Sequence, residues 1–215
     1  MDNGKLAAAK QALDYMPNQG VIGLGSGSTA SIFIELLAQK VQAEQLDIIC
    51  VATSTQSQKL GTQLGLKVVD IDEVDRIDIT VDGADEVDPD LNGIKGGGAA
   101  LLFEKIVALN SDRNIWVVDP SKEHKRLGQF KLPIEVIKFG SHHLYRHFEK
   151  LGLSPSYRQT NGEYLLTDSN NYIIDVDVSG VDDLTALATQ LDQLTGVVEH
   201  GLFLNICDEL IVGGQ

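Results

Sequence analysis

Apolar and polar positions along the first half of the chain switch repeatedly between strand spacing and helix spacing. Short apolar runs bounded by polar residues or glycine predict strands, and apolar residues three and four positions apart predict helices. The predicted order is a strand at 20–24, a helix at 28–40, a strand at 47–52, a helix at 55–64, strands at 67–70 and 77–81, a helix at 99–109 and a strand at 114–118. Alternating strands and helices imply a parallel sheet covered by helices.

The pattern changes after Gly128. The second half predicts a strand at 132–137, a helix at 141–151, strands at 156–160 and 172–178, a helix at 182–194 and a strand at 197–202. This β-α-β-β-α-β order is typical of a ferredoxin-like domain. The last strand-like run can return to the first sheet, so we predict an α/β fold. In it, a Rossmann-like domain (1–127 and 203–215) carries an inserted ferredoxin-like α+β domain (128–202).

The composition is that of an ordinary globular protein, with 43% hydrophobic and 22% charged residues in a chain of 215. The apolar runs are too short to span a membrane, and the first residues lack the regions of a signal peptide. Cys50 and Cys207 lie in apolar runs without a Cys-x-x-Cys partner, which favours buried, reduced thiols. We therefore expect a cytoplasmic protein.

The net charge of −14 restricts the partners that this chain can bind. Without a basic patch it has no means of replacing the counterions of a nucleic acid or of binding an anionic membrane. We expect neither partner. An anionic small molecule would need local positive potential from helix N-termini and a few lysines.

Two glycine-containing segments, Gly25–Thr29 and Asp82–Asp85, directly follow predicted strands. Ligands of parallel sheets bind beyond the carboxyl ends of the strands. Seven residues after Asp88 comes Lys95-Gly-Gly-Gly98, and then a helix that carries Glu104. Glycines allow close approach of the backbone, and successive N–H groups bind anions. The stretch therefore favours a site for a small, polar, negatively charged substrate.

Several motif templates fail on particular residues. The first glycine loop has Ser28 where a dinucleotide motif needs its third glycine, and no Gly-Lys-Ser/Thr of a Walker loop follows. It either holds a phosphate at a helix start or is a turn with a hydroxyl cap and no ligand. The segment from Asp88 resembles half a calcium loop, but Ala99 replaces the required Glu. His143 and His147 have no further ligands and favour a solvated helix face.

Among the acidic residues, Glu104 has the sequence neighbours that most clearly predict a buried carboxylate. Its neighbours on the predicted helix are all apolar, namely Ala100, Leu101, Val107 and Ala108. A carboxylate on that face should be buried, and burial raises its pKa and makes it a better proton acceptor near neutrality. An ion pair with a lysine or stabilisation of the helix start would explain it equally well. Lys105 has similar neighbours, but its long stem is expected to carry the ammonium to water.

Four ordered motifs resemble ribose-5-phosphate isomerase, type A, over essentially the whole chain. They are Gly23-Leu-Gly-Ser-Gly-Ser-Thr29, Val81-Asp-Gly-Ala-Asp-Glu86, Lys95-Gly-Gly-Gly-Ala-Ala100 with Glu104-Lys-Ile, and Asp119-Pro-Ser-Lys122. The resemblance implies interconversion of ribose 5-phosphate and ribulose 5-phosphate in the non-oxidative pentose phosphate pathway. It also implies no metal and no cofactor, and a homodimer or larger oligomer, of which we expect a homodimer.

The resemblance also implies roles for individual residues. Glu104 matches the general base, and Asp82, Asp85 and Lys95 match the polar catalytic cluster. The implied substrate contacts, beside Asp82, Asp85 and Lys95, are Ser26, Gly27, Ser28, Thr29, Gly83, Ala84, Gly96, Gly97, Gly98 and Lys122. The resemblance also implies that Lys5 reaches the phosphate, as an N-terminal lysine does in relatives. Two positions depart from the family pattern. The family often has Thr where this chain has Ser26, and an Arg or other polar residue often precedes the base where this chain has Phe103.

Two other classes remain open from the sequence. A non-catalytic sugar-phosphate sensor of the same fold would need the phosphate loop but would have no use for a buried base, so the Glu104, Lys95 and Asp82 set argues against it. A nicotinamide-dependent dehydrogenase is disfavoured at Ser28.

Overall fold

The computed structural model describes residues 3–214. The helices are α1 Asn3–Ala12, α2 Ser28–Glu44, α3 Thr55–Gln63, α4 Leu101–Leu109, α5 Ser141–Lys150 and α6 Leu184–Asp192. The strands are β1 Gln19–Leu24, β2 Asp47–Ala52, β3 Lys67–Val69, β4 Ile79–Asp82, β5 Glu86–Val87, β6 Gly93–Ile94, β7 Asn114–Val118, β8 Leu132–Val136, β9 Ser156–Tyr157, β10 Gln159–Thr160, β11 Glu163–Tyr164, β12 Tyr172–Val176, β13 Val197–His200, β14 Leu202–Phe203 and β15 Glu209–Val212. Within residues 3–214, no helix combines the length and apolar character needed to cross a membrane.

The chain forms two compact units. The first consists of Met1–Ala84, Phe103–Glu123 and Asn205–Gln215, and the second of Asp85–Leu102 and His124–Leu204. This division places residues 85–102 in the second unit, whereas the sequence prediction assigned them to the first domain. Compactness does not measure independent folding, so the predicted boundaries at 128 and 202 stay a prediction.

The first unit is built on a six-stranded sheet in the order β15-β7-β4-β1-β2-β3, and every strand pair in it is parallel. All five residues of β7 are buried, as expected for a strand with both faces covered. The last strand, β15, pairs with β7 at the edge of the sheet. The predicted Rossmann-like sheet and the return of the chain to it are thus confirmed.

Small and branched apolar residues form the core of the first unit. Ile22 and Leu24 of β1 belong to one buried cluster with Phe33 and Leu37 of α2. Ala8, Ala9 and Ala12 of α1 join the same cluster. Helix α1 is absent from the predicted elements, because alanine-rich segments show weak hydrophobic periodicity.

The second unit contains an antiparallel sheet in the order β13-β8-β12-β9. Its elements follow one another as β8, α5, β9, β12, α6 and β13, with the hairpin β10–β11 between β9 and β12. This is the ferredoxin-like arrangement predicted from the sequence. Its core includes Ile134 of β8, Ile174 of β12, Phe148 of α5 and Leu191 of α6. A separate small sheet, β14-β6-β5, belongs to the same unit.

Helix α4 begins two residues later than predicted, at Leu101. Ala99 has a φ of 64°, a left-handed conformation that does not continue into a helix. Its N–H donates to the carbonyl oxygen of Gly96 at 3.0 Å and closes a tight turn. The turn, rather than the alanine content of the segment, decides where the helix starts.

The two cysteines should differ sharply in reactivity. Burial raises the pKa of the Cys50 thiol to about 12, so the nucleophilic thiolate is absent near neutral pH. Cys207 is partly exposed. A maleimide at pH 7 should therefore modify Cys207 and spare Cys50 in the folded protein, as mass spectrometry of peptides would detect.

The variant Cys207→Ser provides the control for this labelling. It should lose reaction with maleimide when folded and regain one reactive thiol when unfolded in guanidinium. Fast modification of Cys50 in the folded variant would show that the thiol is accessible and contradict the prediction.

Candidate active site

In the first unit, three neighbouring parallel strands end at the same edge of the sheet. They are β1, β4 and β7. Asp82 is the last residue of β4, and the segments that follow the three strands are Gly25–Thr29, Gly83–Ala84 and Asp119–Lys122. The carboxyl edge of a parallel sheet is where such folds bind ligands. Three of the predicted motifs therefore meet at the expected place.

The first glycine loop leads into the N-terminus of α2. Gly27 caps this 17-residue helix with a φ of 92°, which an L side chain rarely adopts. No side chain caps the helix start. Ser28 is exposed and Thr29 is buried. An uncapped N-terminus of a long helix presents backbone N–H groups and the positive end of the helix dipole to an anion.

The hydroxyl of Ser26 turns into a cluster of hydroxyl groups. It lies 2.7 Å from the hydroxyl of Thr53 and 2.8 Å from that of Ser54. Ser57 joins the cluster and donates to the carbonyl oxygen of Gly25 at 2.6 Å. Thr53, Ser54 and Ser57 are not among the predicted site residues, although four hydroxyl residues in the five positions after β2 are a signal. The cluster fastens the start of α3 to the first glycine loop.

Asp82 holds the backbone of both neighbouring loops in the first unit. Its Oδ1 accepts the N–H of Ser26 at 2.8 Å and the N–H of Gly83 at 2.7 Å. The contact requires glycine at position 25, because a Cβ there would lie 2.4 Å from the Cα of Asp82. The Asp82 side chain is buried, with 3% exposed. Its carboxylate is therefore fixed in one orientation.

The charges of two lysines, Lys122 after β7 and Lys5 on α1, act on the carboxylate of Asp119. Partial burial opposes ionisation of Asp119, but hydrogen bonds from the hydroxyl and N–H of Ser121 outweigh it, and the charges of Lys122 and Lys5 add to them. The pKa of Asp119 is lowered as a result. Because Lys5 and Lys122 both act on the same carboxylate, this part of the first unit concentrates positive charge in an acidic protein.

Glu104 lies in the first turn of α4 and is 5% exposed. The predicted burial of this carboxylate is confirmed. A carboxylate in the first turn also interacts favourably with the helix dipole, so stabilisation of the helix start is still a second explanation for Glu104. Lys105 is 8% exposed as a whole residue, and the expectation that its ammonium reaches water stays a prediction.

Phe103, which departs from the family pattern, lines a mostly apolar cavity in the first unit. The cavity measures about 240 Å³. Its other apolar lining residues are Val51, Ala52, Val69, Ile71, Ile106 and Val107. An aromatic side chain is compatible with this lining, so the departure is accommodated without placing a polar group in apolar surroundings.

In the second unit, Asp85 holds the second glycine loop. Its Oδ2 accepts the N–H of Gly97 at 2.7 Å. A Cβ on Gly97 would lie 2.4 Å from the other carboxylate oxygen, so the approach requires glycine. Lys95 at the start of the loop is 2% exposed, and its Nζ lies 5.4 Å from the centre of the Phe203 ring. Gly98 is exposed and Gly96 is buried.

Glu86 is a buried acid of the same motif for which the sequence analysis gave no role. It is 1% exposed and accepts the N–H groups of Gly128 at 2.7 Å and Phe130 at 2.6 Å. His124 lies 3.8 Å away. Glu86 thus fixes the segment that leads into β8. Local sequence could not separate it from the solvated acids, because its partners lie more than 40 positions away.

The described residues contain one group of side chains with the spacing of a metal site, namely Asp192, Glu199 and His200. The hydrogen bonds of His200 disfavour this use. Its Nδ1 accepts the N–H of Leu202 at 3.2 Å, so the proton resides on Nε2, which lies 3.1 Å from Oδ1 of Asp192. A metal at Nε2 would have to displace that proton. The expected metal independence stays a prediction.

Comparisons of sequence with known proteins indicate one family. A family model described as ribose 5-phosphate isomerase A (phosphoriboisomerase A) matches residues 49–215. The ribose-5-phosphate isomerase A of Streptococcus agalactiae serotype III is 48% identical over all of this chain and 96% of its own length.

Two solved structures are similar in fold. Ribose 5-phosphate isomerase A from Methanocaldococcus jannaschii has a TM-score of 0.94 and 36% identity, covering 98% of this chain and 94% of its own. A D-ribose-5-phosphate isomerase in complex with phospho-erythronic acid has a TM-score of 0.93 and 39% identity, covering 97% and 93%. The resemblance inferred from the four motifs is confirmed, and the chain belongs to the ribose 5-phosphate isomerase A family.

Proposed function

We propose that this chain interconverts D-ribose 5-phosphate and D-ribulose 5-phosphate with Glu104 as the base that moves the proton. The activity is that of the family to which the chain belongs. The observation that carries the assignment of the base is the burial of the Glu104 carboxylate, in a helix turn whose neighbouring positions are apolar. A sugar-phosphate sensor would not need such a group.

The reaction defines what the base must do. In the open chain of ribose 5-phosphate, removal of the C2 proton gives an enediolate, and return of the proton to C1 gives ribulose 5-phosphate. One carboxylate can remove and return the proton. The enediolate oxygen needs a nearby donor or positive charge, for which the buried Lys95 ammonium is suited.

We assign ring opening and hydroxyl proton transfers to Lys95 together with Asp82 or Asp85. Support comes from the fixed positions of the two carboxylates: Asp82 accepts two backbone N–H groups and Asp85 accepts one. Catalytic groups held by their own hydrogen bonds need no reorganisation during the reaction.

The phosphate is proposed to bind at the N-terminus of α2, with Gly27, Ser28, Thr29 and Lys122 as contacts. The uncapped helix start supplies N–H groups, and Lys5 and Lys122 supply charge. The solved relative in complex with phospho-erythronic acid supports an anion of this kind. That compound joins a phosphate ester to a planar carboxylate, and an enediolate of a sugar phosphate has the same two anionic features.

We also propose that the protein acts in the cytoplasm, in the non-oxidative branch of the pentose phosphate pathway. The thiols of Cys50 and Cys207 suit a reducing compartment.

We also propose a homodimer. Exposed large apolar side chains such as Leu109 and Phe139, 67% and 92% exposed, are supporting observations, because a second subunit could cover such groups. Sedimentation equilibrium at micromolar concentration should give twice the chain mass of 23.3 kDa. A mass equal to one chain would contradict the dimer.

Glu104→Gln should abolish isomerisation and spare binding. The amide keeps the size of the side chain but cannot accept the C2 proton, so we expect kcat to fall by about 10²- to 10⁴-fold. Exchange of the C2 proton with deuterated water, followed by NMR, should stop in parallel. Binding of phospho-erythronic acid, measured by calorimetry, should persist.

Glu149→Gln is the matched control, since Glu149 is an exposed glutamate on α5. It should retain kcat and KM. Turnover by Glu104→Gln close to that of this control would refute the assigned base.

Lys122→Ala should weaken phosphate binding more than chemistry. Loss of one charge-assisted hydrogen bond should raise KM about 10-fold while kcat changes little. Inorganic phosphate should become a correspondingly poorer competitive inhibitor in the same assay.

The exposed Lys125 gives the control Lys125→Ala, for which KM should not change. An unchanged KM and phosphate inhibition in Lys122→Ala would remove Lys122 from the phosphate site.

A further inference from the structure

The side chain of Arg158 connects a strand of the second unit to the second glycine loop. Its Nη1 donates to the carbonyl oxygen of Gly96 at 2.7 Å and to that of Gly97 at 3.1 Å. The other edge of the guanidinium faces Asp175 of β12, where Nε donates to Oδ2 at 3.0 Å and Nη2 donates to Oδ1. One side chain therefore joins a strand carboxylate to two loop carbonyls.

The guanidinium is held independently of the loop. The side chains of Arg158 and Asp175 are only 14% and 16% exposed. The Arg158 backbone is also paired, because its N–H donates to Ile173 and its carbonyl oxygen accepts from Leu165, both at 2.9 Å. A bidentate arginine–carboxylate pair has a defined geometry. The position of Nη1 is therefore set by the sheet and its hairpin.

The loop itself needs such a restraint. Glycine has more backbone freedom than any other residue, and Gly97 and Gly98 are exposed. Side chains cannot restrain the loop at its critical positions: Gly96 has a φ of 100°, and a Cβ on Gly97 would collide with Asp85. Within the loop, only the backbone can restrain it, as the turn bond from the Ala99 N–H to the Gly96 carbonyl does. From outside the loop, Arg158 and Asp85 hold opposite ends of the peptide unit between Gly96 and Gly97.

Peptide geometry links the carbonyls that Arg158 holds to the loop's N–H groups. In a planar trans peptide, the carbonyl of one residue and the N–H of the next point in opposite directions. Because Arg158 fixes the carbonyl of Gly96, it also directs the N–H of Gly97 towards Asp85, to which this N–H donates at 2.7 Å. In the same way, the contact with the carbonyl of Gly97 directs the N–H of Gly98 away from the guanidinium.

We propose that Arg158 is a positioning residue for substrate binding, which orients the peptides of Gly96 and Gly97 so that the loop presents its N–H donor at Gly98 to the sugar phosphate. The inference rests on the proposed substrate contacts of Gly96–Gly98. Asp175 neutralises the charge of Arg158, so its role is geometric. Lysine cannot replace it, because an ammonium lacks the fork that engages a carboxylate and two carbonyls together.

The test is Arg158→Lys, which keeps the charge and removes the fork. We expect kcat/KM for ribose 5-phosphate to fall about 10- to 100-fold, mainly through KM, because small displacements of binding groups are costly. The backbone amide signals of Gly97 and Gly98 in a ¹H–¹⁵N spectrum should shift, while the far-ultraviolet circular dichroism stays unchanged. Asp175→Asn, which weakens the clamp on the guanidinium, should have a smaller effect in the same direction, and it carries the test if Arg158→Lys does not fold.

Arg126→Lys is the matched control. Arg126 also donates to a backbone carbonyl, that of Val181, and to a carboxylate, that of Asp182, but it is exposed. Its kinetic constants should stay within about twofold of the wild type, as is usual for surface substitutions.

Chemical rescue separates positioning from general stabilisation. Ethylguanidinium at millimolar concentration should lower the KM of Arg158→Ala towards the wild-type value, whereas ethylammonium should not. Two results would overturn the proposal. One is a KM and kcat for Arg158→Lys within about twofold of the wild type. The other is a loss of kcat that only follows the loss of folded protein, with KM and the two glycine signals unchanged.

The wild-type protein distinguishes failure of the inference from failure of the proposed function. Phospho-erythronic acid should shift the amide signals of Gly97 and Gly98. If it does, and Arg158→Lys behaves as the wild type, only the role of Arg158 is refuted. If these signals do not respond in the wild type, the proposed glycine contacts fail and the inference fails with them. Retained turnover in Glu104→Gln would count against the assigned base alone.

Discussion

Carboxylates that hold backbone N–H groups are the interaction on which the site depends. Asp82 accepts from Ser26 and Gly83, and Asp85 accepts from Gly97. The buried Glu86 accepts from two N–H groups of the segment leading into β8. Each acid of the Asp82–Glu86 motif therefore fastens a segment distant from it in sequence. Because glycine loops carry no side chains that could hold them, their shape must be set by such contacts.

The same contacts explain how an acidic protein can bind a phosphorylated sugar. A net charge of −14 repels an anion at long range, but the field is screened within about 10 Å at ordinary salt. At shorter range, the uncapped start of α2 and the lysines near Asp119 provide positive potential. The carboxylates beside the loops accept hydrogen bonds from backbone N–H groups. In the proposed site, the acids thus shape the loops, and helix ends and lysines are the groups expected to attract the ligand.

Much of the fold was predictable from local patterns. Strands β2 and β7 have the predicted bounds, and the ferredoxin-like order of the second half is confirmed. The misses have local causes: α1 is alanine-rich, and α4 starts late because Ala99 is left-handed. At the site, the burial of Glu104 could be predicted because helical periodicity determines its neighbours. The burial of Lys105 could not be predicted, since a long side chain can extend from an apolar face to water in several directions.

The sequence by itself determined the order of elements, the motifs at the strand ends, the family and the candidate base, because each depends on residues close together along the chain. Only the tertiary structure decided which N–H each carboxylate accepts, that Ser26 joins the hydroxyls of Thr53 and Ser54, and that Arg158 holds the second glycine loop. These partners lie 12 to 62 positions apart, apart from the bond between Asp82 and Gly83. Hydrogen bonds require contact within about 3 Å, and separation along the chain carries no information about that distance.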